Sequence, residues 1–204
     1  MLTARQPGLL IGFAVLLALT GCDLSMDIFT EDPTALSDDR SEDAQQLDDR
    51  IRGDILSAFV DQEVGTLKNV TVEVYEANVL LTGTVSDPEA KDTAGAVTAS
   101  AEGVGNIFNE VQVIEDSSPR DKAEDLSVEN RLKTSLRGSA RINSFNLRWH
   151  SVDGVVYILG RVKSQKERDK VLEIVRSVKG VKDVVDHIVV RTLDGAQSWL
   201  NNLL

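Results

Sequence analysis

The stretch Val156-Tyr157-Ile158-Leu159-Gly160-Arg161-Val162 decides how this chain reads, because a relative of it stands 77 residues earlier as Val79-Leu80-Leu81-Thr82-Gly83-Thr84-Val85. In both, an apolar, β-prone run carries one glycine at the same place, where a side chain would obstruct a bend or a close backbone approach. The same offset relates Ile51, Ile55 and Phe59 to Val128, Leu132 and Leu136, and Gly103-Val104 to Gly180-Val181, with no gap from Leu47 to Ile114. One supersecondary unit is used twice.

Outward from the glycine-marked runs, each unit reads helix, strand, strand, helix, strand. In the first, Ile51, Ile55 and Phe59 recur every four residues as the stripe of an amphipathic helix, and Val70, Val72 and Val74 alternate with Thr71 and Glu73 as a half-buried strand. After a turn near Glu76-Ala77-Asn78 and the run Val79 to Val85, Asp87 is placed to cap a helix with Pro88 at its first position. That helix is expected to end near Gly103, and residues 106–114 to form a third strand. In the second unit, Val128, Leu132 and Leu136 line the first helix, Phe145 to His150 forms a strand, and Asp153-Gly154 signals a hairpin. Val171, Ile174, Val175 and Val178 mark the next helix, Gly180 ends it, and Val184 to Val190 is the last strand. The expected fold is α+β: two tandem αββαβ domains at 46–115 and 124–192, each a three-stranded sheet with two helices, joined by a linker at 116–123. A unit of this size has a thin core, so the two copies are expected to pack together. The tail at 193–204 carries Trp199, Leu200, Leu203 and Leu204 on one side of a possible helical turn.

The chain begins with an export signature at 1–21: one basic residue, Arg5, the apolar run Leu9 to Leu19, then small residues up to Cys22. Leu19-Thr20-Gly21-Cys22 resembles the lipobox of bacterial lipoproteins, which implies cleavage before Cys22 and acylation (palmitate among the acyl chains) of that cysteine as a lipid anchor. Several acyl chains, at roughly 0.8 kcal/mol per buried CH2, make a durable anchor. Asp23 resembles the inner-membrane retention signal of enteric lipoproteins. From Asp23 to Gln45 there are eight acidic residues and one arginine, so 22–45 is expected to be an acidic, disordered tether whose ends lie roughly 25 to 30 Å apart.

The repeated pattern resembles the BON domain of bacterial envelope proteins. The residues that carry the resemblance are Val155 to Val162 with Gly180-Val181-Lys182-Asp183-Val184-Val185-Asp186, and in the first copy Gly83, Val85 and Gly103-Val104-Gly105-Asn106-Ile107-Phe108-Asn109. Gly83, Gly160, Gly103 and Gly180 are its structural positions. With the lipobox, the chain is similar to dual-BON lipoproteins of the osmotically induced periplasmic and outer-membrane-integrity kinds. That resemblance implies phospholipid binding at the periplasmic face, in the outer membrane by family and the inner membrane by Asp23, without enzymatic activity.

No constellation for catalysis is evident, and no cofactor is expected. The two histidines, His150 and His187, map onto Glu73 and Glu110 in the other copy, an exchange that a repeated catalytic or metal site would not tolerate. A zinc site would need several ligands, and the one cysteine, Cys22, is committed to acylation. The charge map says more. Residues 47–114 carry 4 basic and 12 acidic side chains, whereas 124–191 carry 14 and 9. Arg131, Lys133, Arg137, Arg141 and Arg148 around the first helix and strand, with Lys163 and Lys166 at the start of the second helix, are the candidate residues for anionic phospholipid. Each Lys or Arg near such a surface contributes about 1 kcal/mol before screening. The basic copy can equally attract the acidic copy or the acidic tether. Two functions follow: a lipid-binding envelope module that supports envelope integrity or stress tolerance, or a protein-interaction module for an envelope partner, with lipid only as anchor. Nucleic acid is not expected for an exported chain.

Overall fold

In the computed structural model, which describes residues 37–62, 65–114 and 119–191, each repeat lays two helices on one face of a small sheet. The first repeat comprises α1 (Glu42–Val60), β1 (Val70–Tyr75), β2 (Asn78–Val85), α2 (Pro88–Ala99), and then β3 (Ile107–Asn109) and β4 (Gln112–Val113). The second comprises α3 (Pro119–Arg137), a 3-10 turn at Ser144–Asn146, β5 (Leu147–Val152), β6 (Val155–Val162), α4 (Gln165–Ser177) and β7 (Asp183–Val190). In each, the hairpin strands are antiparallel and the strand after the second helix returns parallel to the middle strand. The registers repeat as well: Val70 pairs Gly83 as Leu147 pairs Gly160, and Val79 pairs Ile107 as Val156 pairs Val184. The signal segment 1–21, Cys22, most of the tether and the tail 193–204 lie outside the described residues.

Helix starts are set by local chemistry. Ser41 Oγ accepts from Ala44 N–H at 3.3 Å and opens α1, with Glu42 and Asp43 against the positive end of the helix. Asp87 accepts from Ala90 N–H at 2.8 Å ahead of Pro88, the expected start of α2. At α4, Ser164 accepts from Glu167 N–H at 3.1 Å as the cap, while Glu167 reaches back to the residue before it and accepts from Lys163 N–H at 2.9 Å.

Three boundaries differ from expectation. α1 begins at Glu42, inside the segment expected to be disordered, because Ser41 supplies a cap there. α3 begins at Pro119, inside the expected linker, with a proline at the position where a missing N–H costs nothing. The first strand of the second repeat begins at Leu147 because Asn146 N–H closes a turn on Asn143 O at 3.1 Å. The third strand of the first repeat is also assigned in two pieces, although Leu81 pairs Asn109 and Thr84 pairs Gln112 at one unbroken offset. Opposite the conserved-offset glycine, an Asx side chain takes a strand N–H: Asn109 Oδ1 from Val111 at 3.4 Å, and Asp186 Oδ1 from Ile188 at 2.8 Å in the other copy.

Those glycines have no substitute. Gly83 lies at φ +102° and Gly160 at +148°; a Cβ there would fall 2.0 Å from Asn69 O and 2.1 Å from Asn146 O respectively. Gly103 and Gly180 sit against the first helix of their own repeats, next to Ile51 and Val128. A second paired device holds the hairpins. Glu76 and Ala77 turn with φ of 49° and 61°, and Asp48 accepts both of their N–H groups at 2.8 Å. Asp125, 77 residues on, accepts the N–H groups of Asp153 and Gly154 at 2.8 Å and Ser151 Oγ at 2.7 Å.

Each sheet has one face on its helices. Ile51, Ile55, Phe59, Val72, Val79 and Leu81 form the first core, and Val128, Leu132, Leu136, Val156, Ile158 and Val175 the second. The period-2 alternation then leaves Tyr75 and Leu80 on one opposite face and Val152, Tyr157 and Leu159 on the other, and these five bury one another in a third cluster. The two repeats therefore pack sheet to sheet. Polar groups complete the contact: Gln112 donates to Tyr157 Oη at 2.8 Å, His150 Nδ1 lies 2.9 Å from Thr82 Oγ1, and His187 lies 3.0 Å from Glu110 and stacks on Phe108 at 4.0 Å.

Candidate anion-binding face

The candidate cations divide into two groups once the chain is folded. Leu132 and Leu136 point α3 into the core, and this turns Lys133 and Arg137 to the exposed side, with Arg141 just beyond the helix. Lys133, Arg137, Arg141 and Lys166 make no ion pair among the described residues. The Arg137 guanidinium lies 5.5 Å over the ring of Phe145, itself 41% exposed. Arg131 donates to Lys179 O at 3.1 Å across a groove of about 530 Å³ between the ends of α3 and α4. Ser127, Asn130, Thr134 and Ser177 also line that groove, which thus offers two cations and several neutral donors.

Arg148 and Lys163 are elsewhere, and both are occupied. Residues 37–40 run as a strap across the boundary between the repeats. Asp39 accepts from Asn146 Nδ2 at 2.8 Å and Asn143 Nδ2 at 3.2 Å, and ion-pairs with Lys163 at 3.1 Å and Arg161 at 4.0 Å. Its own N–H donates to Asn146 Oδ1 at 3.0 Å, and Asn143 Nδ2 donates to Ser37 O at 2.7 Å. Asp38 pairs with Arg40 at 2.6 Å and with Arg148 at 3.5 Å. Arg40 reaches the first repeat, pairing with Asp48 and lying 4.4 Å over the Tyr75 ring. Arg168 and Lys170 are likewise engaged, by Asp186 at 2.6 Å and Glu173 at 2.9 Å.

Burial works against ionisation of Asp38, but the hydrogen bonds and positive charge of Arg40, with Arg148, outweigh it and hold its carboxyl below the usual range. Tyr75, buried between the guanidiniums of Arg40 and Arg148, is pushed up to about 12 by desolvation. Burial lowers the pKa of His150 against the opposing charges of Glu129 and Asp125. Among the described residues, no group of three or more His, Cys, Asp or Glu side chains is arranged to hold a metal ion, and no helix is long and apolar enough to cross a membrane. Periodicity could not place the strap, because its residues are polar and its partners lie more than 100 positions away. The signal that was available is the acidic pair Asp38-Asp39 in a chain whose second half is basic.

Residues 47–115 and 124–192 match the BON domain family. The chain is 36% identical over 125 residues to an uncharacterized protein in the gshII 5' region of Anaplasma centrale, covering 61% of this chain and 83% of that protein. It is 28% identical to the outer membrane lipoprotein DolP of Haemophilus influenzae, covering 61% of this chain and 64% of that protein. To osmotically-inducible protein Y of Escherichia coli it is 27% identical, covering 67% of this chain and 69% of the relative. With the helix, strand, strand, helix, strand unit formed twice at one unbroken offset and matched in both copies, this chain belongs to the BON domain family as a protein with two such domains.

Proposed function

We propose that this is a non-enzymatic, membrane-anchored envelope lipoprotein that engages anionic phospholipid through its second BON domain and supports envelope integrity or stress tolerance. The observation that carries the reading is a substitution of charge at matched positions of one fold. Arg131 and Lys179 line a groove in the second domain, and the positions matching them in the first are Asp54 and Glu102. Lys133, Arg137, Arg141 and Lys166 add an exposed basic rim that no carboxylate among the described residues neutralises. Such a rim suits headgroup phosphates, whose attraction falls with salt. The anchor is Cys22, with the folded part facing the periplasm; the name of the Haemophilus influenzae relative favours the outer membrane and Asp23 the inner. The names DolP and osmotically-inducible protein Y support an envelope or stress role, and neither is that of an enzyme.

The test is co-sedimentation of the chain from Asp23 onward, so that acyl chains cannot contribute, with anionic and zwitterionic vesicles at low and moderate salt. Binding to anionic vesicles alone is expected, weakening with salt and lost when Arg131, Lys133 and Arg137 are changed to Glu in a protein that keeps its unfolding midpoint. No sedimentation with any vesicle at either salt refutes the reading. A second reading, docking of an envelope protein partner with lipid only as anchor, is favoured by Val60 and Leu56, which stand 82% and 40% exposed on α1. It requires a specific partner that stays bound in detergent and is lost on Val60→Asp.

A further inference from the structure

The cleft under the strap gathers buried donors and cations around one carboxylate. Asn146 is 1% exposed and Asn143 6%, and both turn an amide N–H onto Asp39, beside the Lys163 ammonium and the Arg161 guanidinium. Without residues 38–40, Arg148, Arg161 and Lys163 lose their partners on the strap, while Glu76 stays on Arg161 and Arg191, Glu73 faces Arg148, and Glu167 stays on the N–H groups of Asn143 and Lys163. Phosphate offers more acceptor oxygens than a carboxylate to the same converging donors. The first domain lacks the site: Thr71, Thr84 and Ser86 stand at the positions of Arg148, Arg161 and Lys163.

We infer that this cleft is a phosphate-binding site whose resident ligand is the chain's own Asp38-Asp39 pair, so that strap and phosphate compete for it. The strap is covalently attached and competes at an effective concentration in the millimolar range, so weak or dilute anions leave it in place. Displacement would free Arg40 from Asp48 and the Tyr75 ring, and would undo a clasp that touches both domains. The inference stands apart from the α3 reading, since Lys133, Arg137 and Arg141 are not among the residues that hold the strap.

The clasp has a built-in reporter. The Arg40 side chain is 5% exposed while bound, so trypsin should cut after Arg40 slowly when the strap is docked and quickly when it is displaced. In the full-length chain, inorganic phosphate is expected to accelerate that cut over chloride at equal ionic strength. The isosteric D38N/D39N variant is expected to be cut rapidly without phosphate and, by calorimetric titration, to bind phosphate at least about tenfold more tightly than the native chain. Adding R161Q/K163Q to that variant should abolish the binding, while adding charge reversal at Lys133, Arg137 and Arg141 should leave it intact. Phosphatidylglycerol vesicles form the second arm: release by vesicles alone assigns the phosphate to a headgroup, and release by both accepts either source. If D38N/D39N binds phosphate no better than the native chain, or if neither phosphate nor vesicles expose Arg40, the inference is wrong.

Discussion

On its exposed side α1 carries Leu56 and Val60; at the matching positions α3 carries Lys133 and Arg137. Arg131 and Lys179 of the groove are replaced one domain earlier by Asp54 and Glu102, and Arg148, Arg161 and Lys163 under the strap by Thr71, Thr84 and Ser86. Beneath these surfaces almost nothing has changed. Ile51, Ile55 and Val79 have Val128, Leu132 and Val156 as counterparts, all buried, and both sheets keep the same pairing offsets. Burial holds the core to apolar residues of similar volume, since a lost methylene or an unpaired polar group costs about 1 to 3 kcal/mol. Solvent sets no comparable limit on the outer faces. The opposite charges are therefore not a requirement of the fold, which is why they point to function.

The largest effect should come from what the domains share. Gly160→Ala places a methyl 2.1 Å from Asn146 O at a φ of +148°, and a loss of about 3 kcal/mol or more is expected in denaturant unfolding. Gly83→Ala should cost a similar amount. Because Tyr75, Leu80, Val152, Tyr157 and Leu159 form one cluster across the boundary, either variant should lower a single transition. Two separated transitions would show that the domains fold independently. The hairpin caps come next, and here the copies should differ. Asp48→Ala leaves Glu76 and Ala77 in left-handed backbone without a partner and removes a charge from Arg40, for about 3 kcal/mol. Asp125→Ala uncaps an Asp-Gly turn that favours this geometry unaided, and should cost about 1 to 2 kcal/mol. Equal losses would remove the distinction between the turns.

The repeat made the fold legible because periodicity reports burial: the stripe Val128, Leu132, Leu136 and the alternation Val70, Val72, Val74 each name the face that packs. The same alternation hid the interface between domains, since Thr71, Glu73, Arg148 and His150 read as solvent-facing although they face the other sheet. Of the seven candidate cations, Arg131, Lys133, Arg137, Arg141 and Lys166 make no ion pair among the described residues, whereas Arg148 and Lys163 meet Asp38 and Asp39. Composition cannot show which charges the chain spends on itself. The strap, residues 37–40, was hidden within the expected tether for the same reason, because its partners are buried amides, Asn143 and Asn146, that no pattern in the strap's own sequence reveals.

A smaller effect should follow from moving the charge between copies. Leu56→Lys with Val60→Arg gives α1 the cations of α3 at exposed positions, so stability should change by less than about 0.5 kcal/mol. If headgroups are recognised by this helix face, the added pair should raise affinity for anionic vesicles by about tenfold at low salt and less at moderate salt. An unchanged affinity would place the binding in the geometry of the second domain rather than in its charge.

The smallest effect concerns one position read in both domains. Glu73 and His150 are related by the repeat, and each faces the opposite sheet. Burial raises the pKa of Glu73 against the positive charges of Arg52 and Arg148, with Glu129 adding to the rise. It lowers that of His150, which faces Thr71, Thr82, Glu129 and Asp125. Each site thus disfavours its own charge, and linkage turns this into opposite slopes. Below pH 6.5 the unfolded chain protonates its histidine while folded His150 stays neutral, so stability falls as pH drops toward the folded value. Above pH 4.5 the folded chain binds a proton at Glu73 before the unfolded chain does, so stability rises as pH falls through that window. His150→Gln should therefore leave a stability curve that rises on mild acidification, and Glu73→Gln one that falls. The depressed carboxyl of Asp38 does not blur the comparison, since its contribution is lost only below about pH 3.8. Identical slopes in the two variants would mean that the interface opens enough to hydrate both side chains, and that the domains separate in mild acid.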